Sequence, residues 1–184
     1  MKSEGYLYGK IRSGMGTAVL EEKDLTSLVK AGLGRFIQMF ALYLPMTPNM
    51  RVQFQKTRGV NIGKNVFIGF EVYFDPVHPH MITIEDDVAL SGRDLILVHT
   101  SPPTYFSKSN PRVSRLFTKT APVTIKRGAW IAVGVVILPG VTIGENAVVT
   151  AGSIVSKDIP PNCIARGNPA EAVFRFDNKP DPKS

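Results

Sequence analysis

The chain has 184 residues, of which 43% are hydrophobic and 20% charged, a composition that excludes a disordered protein. Its net charge of +7 is scattered along the sequence, which favours a solvated surface over a nucleic-acid-binding patch. The single cysteine, Cys163, excludes an internal disulfide and a cysteine-rich metal site.

Residues 1–59 are predicted to form an arm followed by two helices. Residues 1–23 are polar and contain several glycines, which predicts irregular structure. From Asp24, a residue type that caps helices, apolar side chains recur every three or four positions and predict the first helix. Thr47 followed by Pro48 predicts the start of a second helix, which is expected to stop at Gly59. We expect the apolar face of the first helix to pack on protein, with a membrane surface as the alternative.

Between residues 60 and 160 an aliphatic residue recurs every six positions. The repeat is most regular in its second half, where these residues are Ile125, Ile131, Ile137, Ile143, Val149 and Val155. A period of six matches neither a helix, with a period of about 3.6, nor a strand, with a period of about 2. It is typical of a solenoid in which each flat face is one hexad wide and the aliphatic side chains fill a narrow core. With three hexads to a turn, the repeat predicts about four coils.

Two interruptions break the repeat and are candidates for a functional site. A small loop follows Phe74 and begins with Asp75. A much longer loop is inserted at 100–122, and loops of this length inside a compact repeat are usually functional. After the last hexad, residues 161–184 are predicted to form a C-terminal tail that includes a short helix over 170–176.

Three motifs resemble those of the hexapeptide-repeat acyltransferases. They are Val-Thr-Ile-Gly-Glu-Asn at 141–146, Ala-Gly-Ser-Ile-Val-Ser-Lys-Asp-Ile-Pro-Pro-Asn at 151–162, and Gly-Asn-Pro-Ala at 167–170. The resemblance is nearest to the maltose, galactoside and capsule-sugar O-acetyltransferases. It implies an all-β fold, a left-handed parallel β-helix, to which the predicted N-terminal helical segment and C-terminal helical tail are attached.

The resemblance also implies an activity and an assembly. The activity is transfer of an acetyl group from acetyl-CoA to a hydroxyl of a sugar or polysaccharide precursor, with no metal. The assembly is a homotrimer whose active sites lie between adjacent subunits. No apolar run reaches the ~18–20 residues that span a bilayer, and no signal-peptide pattern is found. We therefore expect a cytoplasmic protein with no integral membrane segment and no nucleic-acid partner.

His99 is predicted to be the general base. It ends an apolar, strand-like run where the long insertion begins, the place at which the resembled family carries its catalytic histidine. An imidazole, with an ordinary pKa of ~6.5, accepts a proton near neutral pH. Asp75 is predicted to contact the acceptor or to orient the site, and a turn-forming role before Pro76 is an equal alternative. Tyr105, in the insertion, is a second candidate for acceptor binding.

The residues that the resemblance assigns to acetyl-CoA lie mostly in the second half of the repeat. They are Trp130, Ala132, Val133, Ala151, Gly152, Ser156, Lys157 and Arg175. A backbone N–H near Val133 is expected to hold the thioester oxyanion. The small residues Ala151 and Gly152 permit close approach of the pantetheine arm, and the two cationic residues suit phosphate groups.

Several alternatives stay open from the sequence. The same base serves N-acetyl transfer to an amino sugar or small amine, and serine O-acetyl transfer. His78, His80 and His99 are the chain's histidines, and three histidines hold zinc in the gamma-class carbonic anhydrases. A non-catalytic β-helix subunit is a further alternative.

Overall fold

The computed structural model describes residues 25–176, so the predicted arm and the last part of the C-terminal tail lie outside the described residues. Two helices come first, α1 (Leu25–Tyr43) and α2 (Pro48–Thr57). The Thr47 hydroxyl accepts a hydrogen bond from the Met50 N–H, and Pro48 is the first residue of α2. Gly59 has a φ of +96°, the left-handed conformation that glycine adopts readily after a helix. The two predicted helices are confirmed.

The repeat forms three parallel sheets, here called the first, second and third faces. The first face contains β1 (Asn61–Ile62), β4 (Ile82–Ile84), β9 (Val123–Ile125) and β12 (Thr142–Ile143). The parallel strands of the second face are β2 (Phe67–Phe70), β5 (Ala89–Gly92), β10 (Trp130–Ile131), β13 (Val148–Val149) and β15 (Cys163–Gly167). The third face contains β3 (Tyr73–Phe74), β6 (Leu95–Ile96), β11 (Val136–Ile137) and β14 (Ile154–Val155). The chain visits the three faces in rotation, in agreement with the hexad prediction of about four coils.

The aliphatic residue of each hexad points into the core. Equivalent positions pair in register between coils, so that Ile84 lies beside Ile125 and Ile125 beside Ile143. These side chains are 0–1% exposed. Burial of a column of aliphatic side chains is the main favourable term in the stability of such a narrow solenoid.

The outward positions differ between the three faces. Those of the first face are polar and consist of Asn61, Thr83, Thr124 and Thr142. Those of the second face are apolar and consist of Phe67, Ala89, Trp130, Val148 and Ile164. Those of the third face are Tyr73, Leu95, Val136 and Ile154. The second and third faces therefore present apolar stripes, a pattern that marks interaction surfaces.

The long insertion is not an irregular loop. It contains two short helices, α3 (Thr104–Ser109) and α4 (Pro111–Phe117). Its ends pair as an antiparallel ribbon, β7 (His99–Thr100) with β8 (Lys119–Thr120). The ribbon satisfies the backbone at the base of the insertion, so the insertion leaves and rejoins the coil as a compact unit.

The prediction of a helix at 170–176 is wrong. Residues 170–175 form β16 (Ala170–Arg175), which pairs antiparallel with β15. The last parallel strand of the second face has an open edge, and a turn beginning at Gly167 (φ +107°) brings the following residues back along it. Hydrogen bonding to an unpaired strand edge overrides the weak local preference of this short segment for a helix.

No helix in the described range 25–176 is long and apolar enough to cross a bilayer. The outer side of α1 nevertheless exposes a row of apolar side chains, namely Val29, Leu33, Phe36, Phe40 and Tyr43. The expectation that this face packs on protein therefore stays a prediction.

Truncation of one core hexad tests the stacking of the coils. We expect Ile143→Ala to lower the free energy of unfolding by about 2–5 kcal/mol, because a fully buried aliphatic group is replaced by a cavity. The control is Thr142→Ala, the outward neighbour, with an expected change within about 0.5 kcal/mol. Urea titration of both variants checks this, and equal effects would contradict the assignment of inward and outward positions.

Candidate active site

Both interruptions of the repeat leave the coil at the edge between the third and first faces. Asp75 follows β3 and His99 follows β6 closely, and these strands are neighbours in the third face. The Asp75 N–H donates to the carbonyl of Ile96 at 2.9 Å. Asp75 and His99 are therefore adjacent because they stand one coil apart on the same edge.

The Asp75 carboxylate is 0% exposed and is surrounded by hydrogen-bond donors. Oδ2 lies 2.5 Å from Nδ1 of His99 and accepts the N–H groups of Val98 and His99 at 3.1 and 3.2 Å. Oδ1 accepts the N–H groups of Val77 and His78 at 2.9 and 3.1 Å. Burial acts to raise the pKa of Asp75, but these hydrogen bonds together outweigh it and hold the pKa below its ordinary value.

The ionised carboxylate determines how His99 is protonated. A carboxylate only accepts hydrogen bonds, so the Nδ1 of His99 must be the donor. In the neutral ring Nε2 is then the acceptor, the atom that a general base uses. The side chain of His99 is 27% exposed, so the ring is open to solvent while its partner is not.

This geometry bears on the roles predicted for Asp75. Among the described residues both of its oxygens are occupied and shielded, which favours orientation of His99 over contact with an acceptor, and both roles stay predictions. The bonds of Asp75 to Val77 and His78 form a turn, as the sequence suggested.

A buried polar network behind Asp75 was not predicted. Nη2 of Arg58 donates to the backbone carbonyl of Asp75 at 3.1 Å, and Nη1 donates to the side-chain oxygens of Gln38 and Gln55. Burial lowers the pKa of Arg58 to about 10, against the charge of Asp75, so the guanidinium is protonated at neutral pH. The network ties both N-terminal helices to the candidate site. Its sequence signal is weak, since Gln38 and Gln55 are ordinary polar residues of the two helices and Arg58 follows the second helix.

The other two histidines line up beside His99. The ring centroids of His78 and His99 are 5.7 Å apart, and those of His78 and His80 are 5.8 Å apart, both edge to face. Within residues 25–176 no group of three histidine, cysteine or acidic side chains is arranged to hold a metal ion. The Nδ1 of His99, a nitrogen that could bind a metal, is hydrogen-bonded to Asp75.

A cleft of about 360 Å³ lies on the same edge, between the insertion and the next two coils. Residues of the insertion and of the coils line this cleft. They include Thr100, Pro102, Leu116, Phe117, Lys119, Leu138, Pro139 and Ser156. Of the residues predicted to bind acetyl-CoA, Ser156 therefore lies on the same edge as His99, and Lys157 follows it in the sequence. Tyr105 is on α3, 76% exposed and outside the lining.

Most of the other residues predicted to bind acetyl-CoA lie on the next edge, between the second and third faces. Ala132 and Val133 follow β10, and Ala151 and Gly152 follow β13. Gly152 has a φ of +70° with open space where a Cβ would stand. The N–H of Val133 has no acceptor among the described residues, whereas those of its neighbours Ala132 and Gly134 are bonded to the coil.

Trp130 and Arg175 lie on neither of these two edges. Both belong to strands of the sheet that forms the second face. The Trp130 side chain is outward and its Nε1 donates to Ser91 at 2.9 Å. Arg175 is exposed at the end of β16. One chain therefore does not bring all the predicted residues together, since the third face separates the edge with His99 from the edge with Val133.

Asp94 is a second buried carboxylate that sequence reasoning missed. It stands four residues after Leu90, where the other hexads carry an inward small or branched residue, and it is 0% exposed. Burial raises its pKa to about 6, although the N–H groups of Val135 and Gly92 donate to it. The available signal was a charge at an inward hexad position.

Comparisons with known proteins identify relatives of this arrangement. Residues 122–157 match the family model described as bacterial transferase hexapeptide (six repeats). A provisionally named acetyltransferase of Schizosaccharomyces pombe is 32% identical over 162 residues, which is 87% of this chain and 75% of that protein. The galactoside O-acetyltransferase of Escherichia coli is 34% identical over 128 residues, 70% of this chain but only 60% of that protein. The chain thus spans less than two thirds of some relatives.

Two solved structures share the fold. A maltose O-acetyltransferase from Clostridium difficile 630 has a TM-score of 0.64 and 23% identity, with 84% of this chain and 90% of that chain covered. A galactoside acetyltransferase in complex with coenzyme A has a TM-score of 0.58 and 26% identity, with 82% of each chain covered.

The buried carboxylate beside His99 predicts a pH dependence of stability. The folded-state pKa of Asp75 is depressed, so its stabilising contribution is present above the unfolded value of ~3.9 and is lost as the pH falls through the folded value. We expect Asp75→Asn to cost about 2–4 kcal/mol of unfolding free energy at pH 7 and less below pH 4. Urea titrations at both pH values check this. Asp87→Asn, an exposed residue on another edge, is the control, and a pH-independent deficit of Asp75→Asn would contradict the prediction.

Proposed function

Because the chain belongs to the hexapeptide-repeat acetyltransferase family, we propose that it transfers an acetyl group from acetyl-CoA to a hydroxyl of a sugar or polysaccharide precursor. Family membership rests on the relative that is 32% identical over most of both chains. It confirms, at the level of the family, the resemblance seen in the hexad motifs and the prediction of an acyltransferase. The observation that carries the proposal is the hydrogen bond between the buried Asp75 carboxylate and Nδ1 of His99. The sugar is suggested by the names of the galactoside and maltose enzymes.

The Asp75–His99 pair supplies the proton transfers that the reaction needs. Nε2 of His99 takes the proton of the acceptor hydroxyl while the hydroxyl oxygen attacks the thioester carbonyl carbon. The imidazolium that forms is stabilised by the ionised Asp75, which does not itself take the proton. When the tetrahedral intermediate collapses, the carbon–sulfur bond breaks, His99 returns the proton to sulfur, and coenzyme A leaves as the thiol. The products are the acetyl ester and free coenzyme A.

The Val133 edge suits the thioester. The N–H of Val133 is available to hold the oxyanion of the intermediate, and the open space beyond Gly152 admits a chain close to the backbone. A neighbour of 26% identity was solved with coenzyme A, which supports the same ligand here. Ser156 and Lys157 then meet the distal part of the carrier from the other edge.

The two separate edges support a homotrimer. A site complete with His99 and Val133 forms when the third-to-first edge of one subunit faces the second-to-third edge of the next. The apolar stripes of the second and third faces are surfaces that such an assembly covers, and the polar first face is left to solvent. The left-handed sense of the coil and a cytoplasmic location belong to the same proposal.

The insertion is positioned to contact the acceptor. It closes one side of the cleft beside His99 and carries Arg112, Arg115 and Lys119 with no acidic residue between 100 and 122. This charge suits an acidic saccharide. Exposed Tyr105 is available to stack on a sugar ring from the same unit.

Removal of the base tests the mechanism. We expect His99→Ala to lower kcat/KM by about 10²–10⁴-fold, because the attacking hydroxyl keeps its proton. Thiol release from acetyl-CoA with a panel of sugars, serine and amines measures this and identifies the acceptor class. His80→Gln, which changes an exposed ring two positions from His78, is expected to keep the activity. Stoichiometric zinc, or equal loss in both variants, would favour the metal alternative.

Glutamate on the apolar stripes tests the assembly. We expect Phe67→Glu and Leu95→Glu to shift the trimer toward monomers, because each places a charge where a neighbour packs. Thr142→Glu on the polar first face is the matched control and is expected to stay trimeric. Sedimentation equilibrium measures the mass, and a wild-type monomer would contradict the proposal.

A further inference from the structure

Arg58 is a buried cation that lies directly behind Asp75. It is the capping residue at the end of α2, and it is 9% exposed. Its hydrogen-bond partners are neutral oxygens, since Nη1 donates to the side chains of Gln38 and Gln55 and Nη2 donates to the Asp75 carbonyl. Within residues 25–176 no carboxylate forms an ion pair with this guanidinium. A buried cation with neutral partners alone is costly, so the nearest negative charge matters to it.

The Asp75 carboxylate is the counter-charge of Arg58, although the two groups are not hydrogen-bonded to each other. Burial lowers the pKa of Arg58 to about 10, and interactions with Tyr73 and Asp75 act in the opposite direction. Burial also raises the pKa of Tyr73, so this phenol is neutral at physiological pH. The remaining charged group of the region is Arg35 of α1, which acts on Tyr73. Asp75 is therefore the negative charge that Arg58 faces.

Asp75 connects Arg58 to the candidate base. Its carbonyl accepts the Arg58 hydrogen bond at 3.1 Å, and its carboxylate lies 2.5 Å from Nδ1 of His99. No backbone N–H of the described range donates to that carbonyl, so Arg58 supplies its hydrogen bond. Arg58 and His99 are thus held by the same residue, one through its main chain and the other through its side chain. When His99 takes a proton, two cations share one carboxylate.

We propose that Arg58 is a positioning residue for the proposed reaction, which fixes the main chain of Asp75 and, through its buried positive charge, sets the pH above which His99 acts as a base. The inference rests on the proposed function, since it concerns how the same Asp75–His99 pair works. Asp75 favours the imidazolium, and Arg58 opposes it. Two unit charges ~8 Å apart, at an effective dielectric constant of ~20, change a protonation equilibrium by about one pH unit or slightly more.

The other charged or titratable groups near His99 are part of the same balance. His78 packs edge to face on it, with ring centroids 5.7 Å apart. Lys119 belongs to β8, the strand that pairs with His99, and its Nζ lies beside Gly140. These groups stay unchanged when Arg58 is substituted. A difference between the variant and the wild type therefore isolates the effect of Arg58.

Arg58→Met tests the proposal, because methionine keeps part of the side-chain volume and removes the charge. We expect the midpoint of the His99 ring titration to move up by about one pH unit, since the imidazolium loses a neighbouring cation. NMR of histidine-labelled protein measures this, and the chain has only three histidines to resolve. The acid limb of the pH profile of kcat/KM is expected to move in the same direction.

Arg51→Met is the matched control. Arg51 is also on α2 and also 9% exposed, but it donates to the carbonyl of Ile68 on the second face and lies over the Phe70 ring. We expect this variant to lose stability while the midpoint of His99 stays within about 0.3 pH unit of the wild type, because the lost charge is farther away and screened. A purely structural role predicts that both methionine variants lower the Tm and that neither moves the midpoint.

Gln38→Glu provides a second route that keeps Arg58 in place. The side-chain oxygen of Gln38 accepts hydrogen bonds from Arg58 and from Gln55, and a glutamate carboxylate accepts both. The new negative charge offsets that of the guanidinium. We expect the midpoint of His99 to move up in this variant as well, which answers the question if Arg58→Met does not fold.

The outcomes separate this proposal from the function on which it rests. A midpoint that stays in place or moves down in a folded Arg58→Met or Gln38→Glu variant overturns the role of Arg58. An equal upward shift in Arg51→Met also overturns it, because any buried cation would then act alike. The NMR titration needs neither acetyl-CoA nor an acceptor. A wild type that releases no thiol with any acceptor, or a fully active His99→Ala variant, overturns the proposed function and leaves the titration result intact.

Discussion

The structure depends on the matching of backbone hydrogen bonds between successive coils. Most backbone N–H groups on a face donate to a carbonyl of the coil above or below, and this register holds only if every face takes one hexad. An extra residue within a face would break the ladder of all coils, so insertions are confined to the corners. The Asp75 loop and the 100–122 insertion both obey this constraint and leave from one edge. The same constraint places Asp75 under His99, because residues at equivalent corners of adjacent coils are neighbours.

Buried charge marks the places where chemistry is expected. The buried residues of the described range are mostly aliphatic, yet Asp75 and Asp94 are fully buried, and Arg51 and Arg58 are each 9% exposed. Asp75 is surrounded by donors that keep it ionised, whereas Asp94 has fewer donors and a raised pKa. The two carboxylates thus differ in environment, and they lie at two different edges of the coil. Asp75 is hydrogen-bonded to the candidate base, and Asp94 accepts a hydrogen bond from the turn that follows Trp130.

The contrast between the faces connects the fold to the proposed assembly. A three-sided solenoid of this width has room for one layer of inward side chains, so its outward side chains decide what each face contacts. Polar residues on the first face and aromatic or aliphatic residues on the other two divide the surface into a polar part and two apolar parts, which the proposed trimer would cover. With the base on one edge and the Val133 N–H on the next, a site that uses both needs two chains.

The sequence by itself determined the repeat, the number of coils, the two N-terminal helices and the position of His99, because each depends on spacing along the chain. It also indicated Asp75, but not whether that carboxylate faces the acceptor or His99, since this depends on which coil lies above it. Only the tertiary structure revealed the Arg58 network and the bonds of Asp94, which join residues far apart in sequence. The structure also decided that residues 170–175 form a strand, because the open edge of β15 offers hydrogen bonds that no local pattern encodes. Local periodicity specifies the coil, and contacts between coils specify its chemistry.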